Sequence, residues 1–117
     1  MKEGLSLKVV GANEGSVYEA KNHFGMWGIR KFGPPEGAKN VNLSVSEFLP
    51  DGGATMASSD KERIYYVLRG SIIVAEEDGR QHILNENDMI YIPPGERRSM
   101  AVNGIVAARV LVIVVDV

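Results

Sequence analysis

Glycine and proline punctuation constrains this chain more than any other feature. Thirteen Gly and five Pro divide its 117 residues into short segments. Between them lie runs rich in Val, Ile and Tyr: Asn42 to Ser46, Ile64 to Leu68, Ser71 to Val74, Met89 to Ile92, and Ala107 to Val115. β-Branched and aromatic residues suit a pleated, half-buried surface, and these lengths are strand lengths. Nowhere do apolar residues keep the i, i+3, i+4, i+7 spacing of an amphipathic helix for three turns. The turns carry their own chemistry. Arg69-Gly70 reads as a tight connection, and Asp78-Gly79 as a hairpin between Ile72-Ile73-Val74 and His82-Ile83-Leu84. Asn85 to Asp88 is a polar turn, Pro93-Pro94-Gly95 ends a strand, and Gly52-Gly53 reads as a turn. Pro34-Pro35-Glu36-Gly37 breaks the chain between an N-terminal segment and the later strands. Short strands with frequent turns specify an all-β sandwich or barrel.

A chain of this length suits one domain. We expect residues 1–40 to form an arm of one or two edge strands that completes the barrel or a dimer, and residues 41–117 to form the barrel core. With no cysteine there is no disulfide scaffold, thiolate metal site or cysteine nucleophile. A net charge of −2 gives no electrostatic footprint for nucleic acid. The apolar run Val110 to Val115 is far shorter than the roughly 20 residues of a membrane helix. The start of the chain has no apolar run of signal-peptide length, so the expected location is cytoplasmic. The last strand is almost continuously apolar, as a strand covered on both faces is. A second copy of the chain is the expected cover, which makes a symmetric homodimer.

Two stretches stand out together. One is Arg63-Ile64-Tyr65-Tyr66-Val67-Leu68-Arg69-Gly70, preceded by Leu49-Pro50-Asp51-Gly52-Gly53. The other is Asn87-Asp88-Met89-Ile90-Tyr91-Ile92-Pro93-Pro94-Gly95-Glu96-Arg97-Arg98, followed by Asn103. Tyr-Val-Leu-x-Gly and Asp-x-x-x-x-Pro-x-Gly at this separation resemble the two motifs of the cupin superfamily. The resemblance covers the central half of the chain. It implies a small jelly-roll β-barrel of the single-domain, RmlC-like type, with a pocket at one open end.

The departures from the family pattern matter as much. Cupins typically hold a divalent metal through a His-x-His pair, a Glu and a later His. Counting back from Arg63, a spacer of three sets the pair at Ala57 and Ser59, and a spacer of four at Met56 and Ser58. Both registers stay open. Arg63 stands at the Glu position and Arg98 at the last His position. Guanidinium groups stay protonated and repel a divalent cation. The expected cofactor is therefore none. One route to a divalent metal stays open, an atypical site built from Glu62, Asp60 and one histidine.

Strand alternation sends i, i+2 and i+4 to one face. If Arg63 points inward, so do Tyr65 and Val67. If Arg98 does, so do Met100 and Val102. The expected ligand-binding set is Arg63, Arg98, Tyr65, Met56, Ser58 and Met100. A buried guanidinium needs a carboxylate or a bound anion. The expected ligand is thus a small organic anion, a carboxylate or an acidic sugar. The alternatives are exposure to solvent or internal pairing, Arg63 with Glu47, Glu62 or Asp60 and Arg98 with Glu96 or Asp88. His23 and Tyr65 are the candidates for proton transfer. His23 reads more readily as a histidine bonded to backbone at a strand start, and His82 as an exposed strand residue. Trp27 reads as a packing anchor.

Four functions remain in order: a metal-independent binding protein for a small organic anion; an isomerase, epimerase or lyase acting on an acidic sugar or ketoacid; a structural partner of another protein; and an atypical metal-dependent cupin. Whether the chain is an enzyme stays open, because one fold hosts many chemistries.

Overall fold

The computed structural model describes residues 7–116, so the first six residues of the 1–40 segment and Val117 lie outside it. Nine strands follow in order: β1 (Ser16–Tyr18), β2 (His23–Phe32), β3 (Val41–Ala57), β4 (Glu62–Arg69), β5 (Ile72–Glu76), β6 (Gln81–Leu84), β7 (Met89–Ile92), β8 (Arg98–Val102) and β9 (Ala108–Val115). Among the described residues, the sole helical piece is one 3-10 turn at Pro34–Glu36, and no helix is long and apolar enough to cross a membrane. Hydrogen bonding links the strands in the order β6-β5-β8-β3-β9-β4-β7, with β2 along β3 and β1 on β2. Every pair is antiparallel. This is a jelly-roll barrel.

β3 holds the barrel together. Its 17 residues outrun any of the short strands read from the sequence. The first half, Val41 to Phe48, pairs with β9. The second half, from Gly53 to Ala57, pairs with β8. β3 therefore bends from one sheet into the other. Gly52-Gly53, expected to be a turn, lies inside this strand at the bend. The reason is close backbone approach. A Cβ on Gly52 would sit 2.3 Å from the Gly25 carbonyl oxygen, and one on Gly53 would sit 2.3 Å from the Met100 carbonyl oxygen. Only glycine lets β2 and β8 pass that near.

Alternation along β4 and β9 sorts the two faces. The registered pairs Arg63–Val114, Tyr65–Val112 and Val67–Val110 point inward, and Ile64–Ile113 and Tyr66–Leu111 point outward. Val67, Ile72, Val74 and Val110 are fully enclosed and close one end of the barrel. Each such side chain contributes roughly 1.5–3 kcal/mol over leaving it in water. Toward Arg63 the same two strands leave space.

Candidate functional site

The open end of the barrel holds two adjoining chambers. The first, about 230 Å³, lies between the inward faces of β2, β3, β4 and β9. The second, about 340 Å³, lies between β8, the end of β3 and the loop that follows it. They share His23, Arg63, Tyr65 and Met100. The expected ligand-binding residues thus converge, apart from Met56. Ser58 and Arg98 line the second chamber. So do Ala57 and Ser59, the pair that a spacer of three selects, whereas Met56 lines neither chamber. A bulge explains this. Ala54 and Ala57 register with Met100 and Arg98, so three steps on β3 match two on β8. The extra residue breaks the alternation that an even strand would carry through Met56.

Electrostatically the chambers are one-sided. Among the described residues, no Asp or Glu lines either of them. Neither Arg63 nor Arg98 forms an ion pair with any described residue. The carboxylates considered as partners are elsewhere. Glu47 accepts from Arg69 at 3.1 Å and from Arg109. Glu62 accepts the Tyr91 hydroxyl at 2.7 Å, a bond that raises the Tyr91 pKa above the ordinary phenol value. Asp88 accepts the Asn85 amide at 2.8 Å, and Asp60 and Glu96 are exposed. Arg98 is steadied by neutral acceptors instead. It donates to the Ala57 carbonyl at 3.0 Å and to the Tyr65 hydroxyl at 3.3 Å. The Arg63 Nε is buried with no hydrogen-bond partner. A third arginine of the lining, Arg30, is neutralised by a bidentate pair with Glu36 at 2.9 Å on both bonds. The hydrogen bond to Arg30 holds the Glu36 pKa below the ordinary carboxylate range.

His23 opens β2 and is bonded to backbone there, as one of its two readings expects. Its Nδ1 lies 2.5 Å from the Lys21 carbonyl oxygen. A carbonyl only accepts, so Nδ1 carries the proton and Nε2 of the neutral ring is the free acceptor. His23 also lines both chambers. His82 is exposed and bonded to Glu76 at 2.6 Å, on a different part of the surface.

The donor set does not fit a divalent cation. The positions that the resemblance sets against the family's metal ligands hold Met56 and Ser58 or Ala57 and Ser59, with Arg63 and Arg98. Among the described residues no three His, Asp or Glu side chains come together around one point. Glu62 is engaged by Tyr91 and neither Glu62 nor Asp60 lines a chamber with His23.

Sequence reasoning missed Lys21 and Arg30 on the arm, and Asn42, Ser44 and Ser46 on β3. For β3 a signal existed: Asn42, Ser44 and Ser46 alternate with Leu43 and Val45, and the polar set faces inward. For the arm no local signal exists, because only its pairing with β3 brings it over the chamber.

The likeness to known proteins follows the same architecture. The polyketide cyclase RemF from Streptomyces resistomycificus superposes with a TM-score of 0.85 at 22% identity, covering 96% of this chain and 81% of that one. A cupin-like protein from Thermotoga maritima superposes at 0.78 with 21% identity, covering 88% and 78%. By sequence, β-D-galactosidase Rv1717 of Mycobacterium tuberculosis is 28% identical over 95 residues, 80% of this chain and 81% of that protein. The cupin domain model matches residues 44–114. That span is more than half of the chain and takes in both arginine positions, and the chain belongs to the cupin domain family.

Proposed function

We propose that this protein binds a small organic anion between Arg63 and Arg98. The reading is of a binding protein with a sensing, carrier or accessory role, working without a metal. One observation carries it: the Arg63 Nε is buried and unpartnered in a lining with no described carboxylate. A buried donor left unmade costs about 1–3 kcal/mol. An incoming carboxylate offers two acceptor oxygens and a charge, which a guanidinium fork matches. Arg98 is preset by Ala57 and Tyr65, and Lys21 adds positive charge at the second chamber. In this reading the protein acts in the cytoplasm, and a second copy of the chain covers the outer face of β9.

The test is isothermal titration of acetate, benzoate and phosphate into the wild type and Arg63→Met. Binding of at least one of these anions, weakened tenfold or more by the substitution, is expected. Equal affinity in both proteins would sink the proposal.

A second reading rests on His23. With Nδ1 held by the Lys21 carbonyl, Nε2 is an acceptor at the chamber wall. It could take a proton from the carbon next to an anion held by the arginines, with Tyr65 as the acid, the chemistry of an isomerase, epimerase or lyase. Paired-carboxylate glycoside hydrolysis has no such support, since the described lining offers no carboxyl group. Solvent deuterium entering a 2-oxo acid, lost in His23→Ala, distinguishes the enzyme from the binding protein.

A further inference from the structure

The anion reading leaves the body of the ligand unspecified, and the first chamber constrains it. Two strips run side by side there. Val110, Val112 and Val114 face inward from β9. Ser46, Ser44 and Asn42 face inward from β3. Their backbones are in register pair by pair: Ser46 with Val110, Ser44 with Val112, Asn42 with Val114. Side chains so paired have Cβ atoms about 5 Å apart, so the wall changes from apolar to polar within one strand spacing. Arg63 registers with Val114 on the other side of β9 and lines the same chamber, so the arginine stands beside the end of the apolar strip.

Resting on the anion reading, we propose that the ligand is a carboxylate joined to a flat ring whose one edge carries oxygen. The carboxylate takes Arg63. The ring lies on Val112 and Val114, above the enclosed Val110, where apolar area leaves water. The oxygenated edge meets the β3 strip. Ser44 and Ser46 are buried. The Ser44 hydroxyl has a long 3.4 Å bond to Asn42 Oδ1, and Ser46 makes no side-chain hydrogen bond among the described residues. Both serines line the chamber, and a hydroxyl there without a strong partner is ready for a ligand oxygen. Chain acids too short to reach the valines gain nothing from them. Acidic sugars, polar on every edge, leave hydroxyls against the valine strip without partners.

The experiment is a titration of four sodium salts, acetate, benzoate, 3-hydroxybenzoate and galacturonate, into the wild type, Arg63→Met, Val112→Thr and Ser46→Ala. Benzoate is expected to bind at least tenfold more tightly than acetate or galacturonate. Val112→Thr keeps the side-chain volume and is expected to remove most of that advantage while leaving acetate unchanged. 3-Hydroxybenzoate is expected to bind more tightly than benzoate and to lose that gain in Ser46→Ala; equal binding of the two by the wild type overturns the oxygen-bearing edge. Acetate or galacturonate binding as tightly as benzoate, with all three lost in Arg63→Met, overturns the ring assignment and keeps the anion reading. No binding by any of the four overturns both. Should Val112→Thr fail to fold, the ranking of the four salts on the wild type still decides.

Discussion

Arg63 is expected to cost stability when no anion is bound, and that cost makes its role measurable. Its Nε is buried and unbonded, and no described residue neutralises its charge. Methionine has a similar length, stays apolar and adapts its shape. Arg63→Met is therefore expected to leave the ligand-free protein as stable as the wild type or more stable by about 1–2 kcal/mol, in urea melts. A loss beyond about 1 kcal/mol would instead make Arg63 a structural residue. The sequence made Arg63, Arg98, Tyr65 and Met100 legible as a group because motif spacing fixed the strands and alternation fixed the face. Met56, named by a motif spacer of four, lines neither chamber, and no residue near it announces the bulge between Ala54 and Ala57. The serines of β3 were readable in principle, as polar positions inside a strand that needs a buried face. Lys21 and Arg30 were not, because their place above the chamber comes from strand pairing across the chain.

At the scale of elements, the link between β2 and the 3-10 turn offers a pH-dependent contact. Glu36 in the turn bonds Arg30 on β2 through both oxygens. The folded pKa of Glu36 is depressed, so the folded state favours the carboxylate. Its contribution is fully present above the unfolded value and is lost as the pH falls through the lowered one. Arg30 stays charged throughout and adds no pH dependence in that window. In denaturant melts stepped downward through the carboxylate range, Glu36→Gln is expected to lose less stability on acidification than the wild type. Parallel loss in both proteins would mean that the pair contributes nothing to folding. Local chemistry of this kind explains which elements could be read in advance. Asp78-Gly79 closes the β5–β6 hairpin and Pro93 follows the end of β7, as their residue types require. The length of β3 could not be read, because Pro50 and Gly52-Gly53 look like the end of a strand. They mark a bend that the strand survives, since its hydrogen bonds pass from β9 to β8.

For the molecule as a whole, the outer face of the sheet poses a problem that the barrel does not solve by itself. Leu43, Ile113, Ile64 and Tyr91 register across β3, β9, β4 and β7, and Val45, Leu111, Tyr66 and Met89 form the next row. Both rows point away from the core. Met89 is 66% exposed and Tyr91 55%, and the outward residues of β9 are only half-buried. Contiguous apolar surface across four strands is more than scattered surface hydrophobes. In the homodimer proposed above, a two-fold axis would set each apolar row against an apolar row. At the margin, Glu47 binds Arg69 and Arg109, leaving one positive charge more than the carboxylate neutralises. Ile113→Lys puts a charge near the middle of the proposed contact. Its flanking partners, Leu43 and Ile64, make no use of that outward tip for the barrel's own core. The variant is therefore expected to fold, keep its anion affinity and sediment as a monomer at concentrations where the wild type sediments as a dimer. A wild type that is monomeric at those concentrations would remove the second copy and leave this face to another partner.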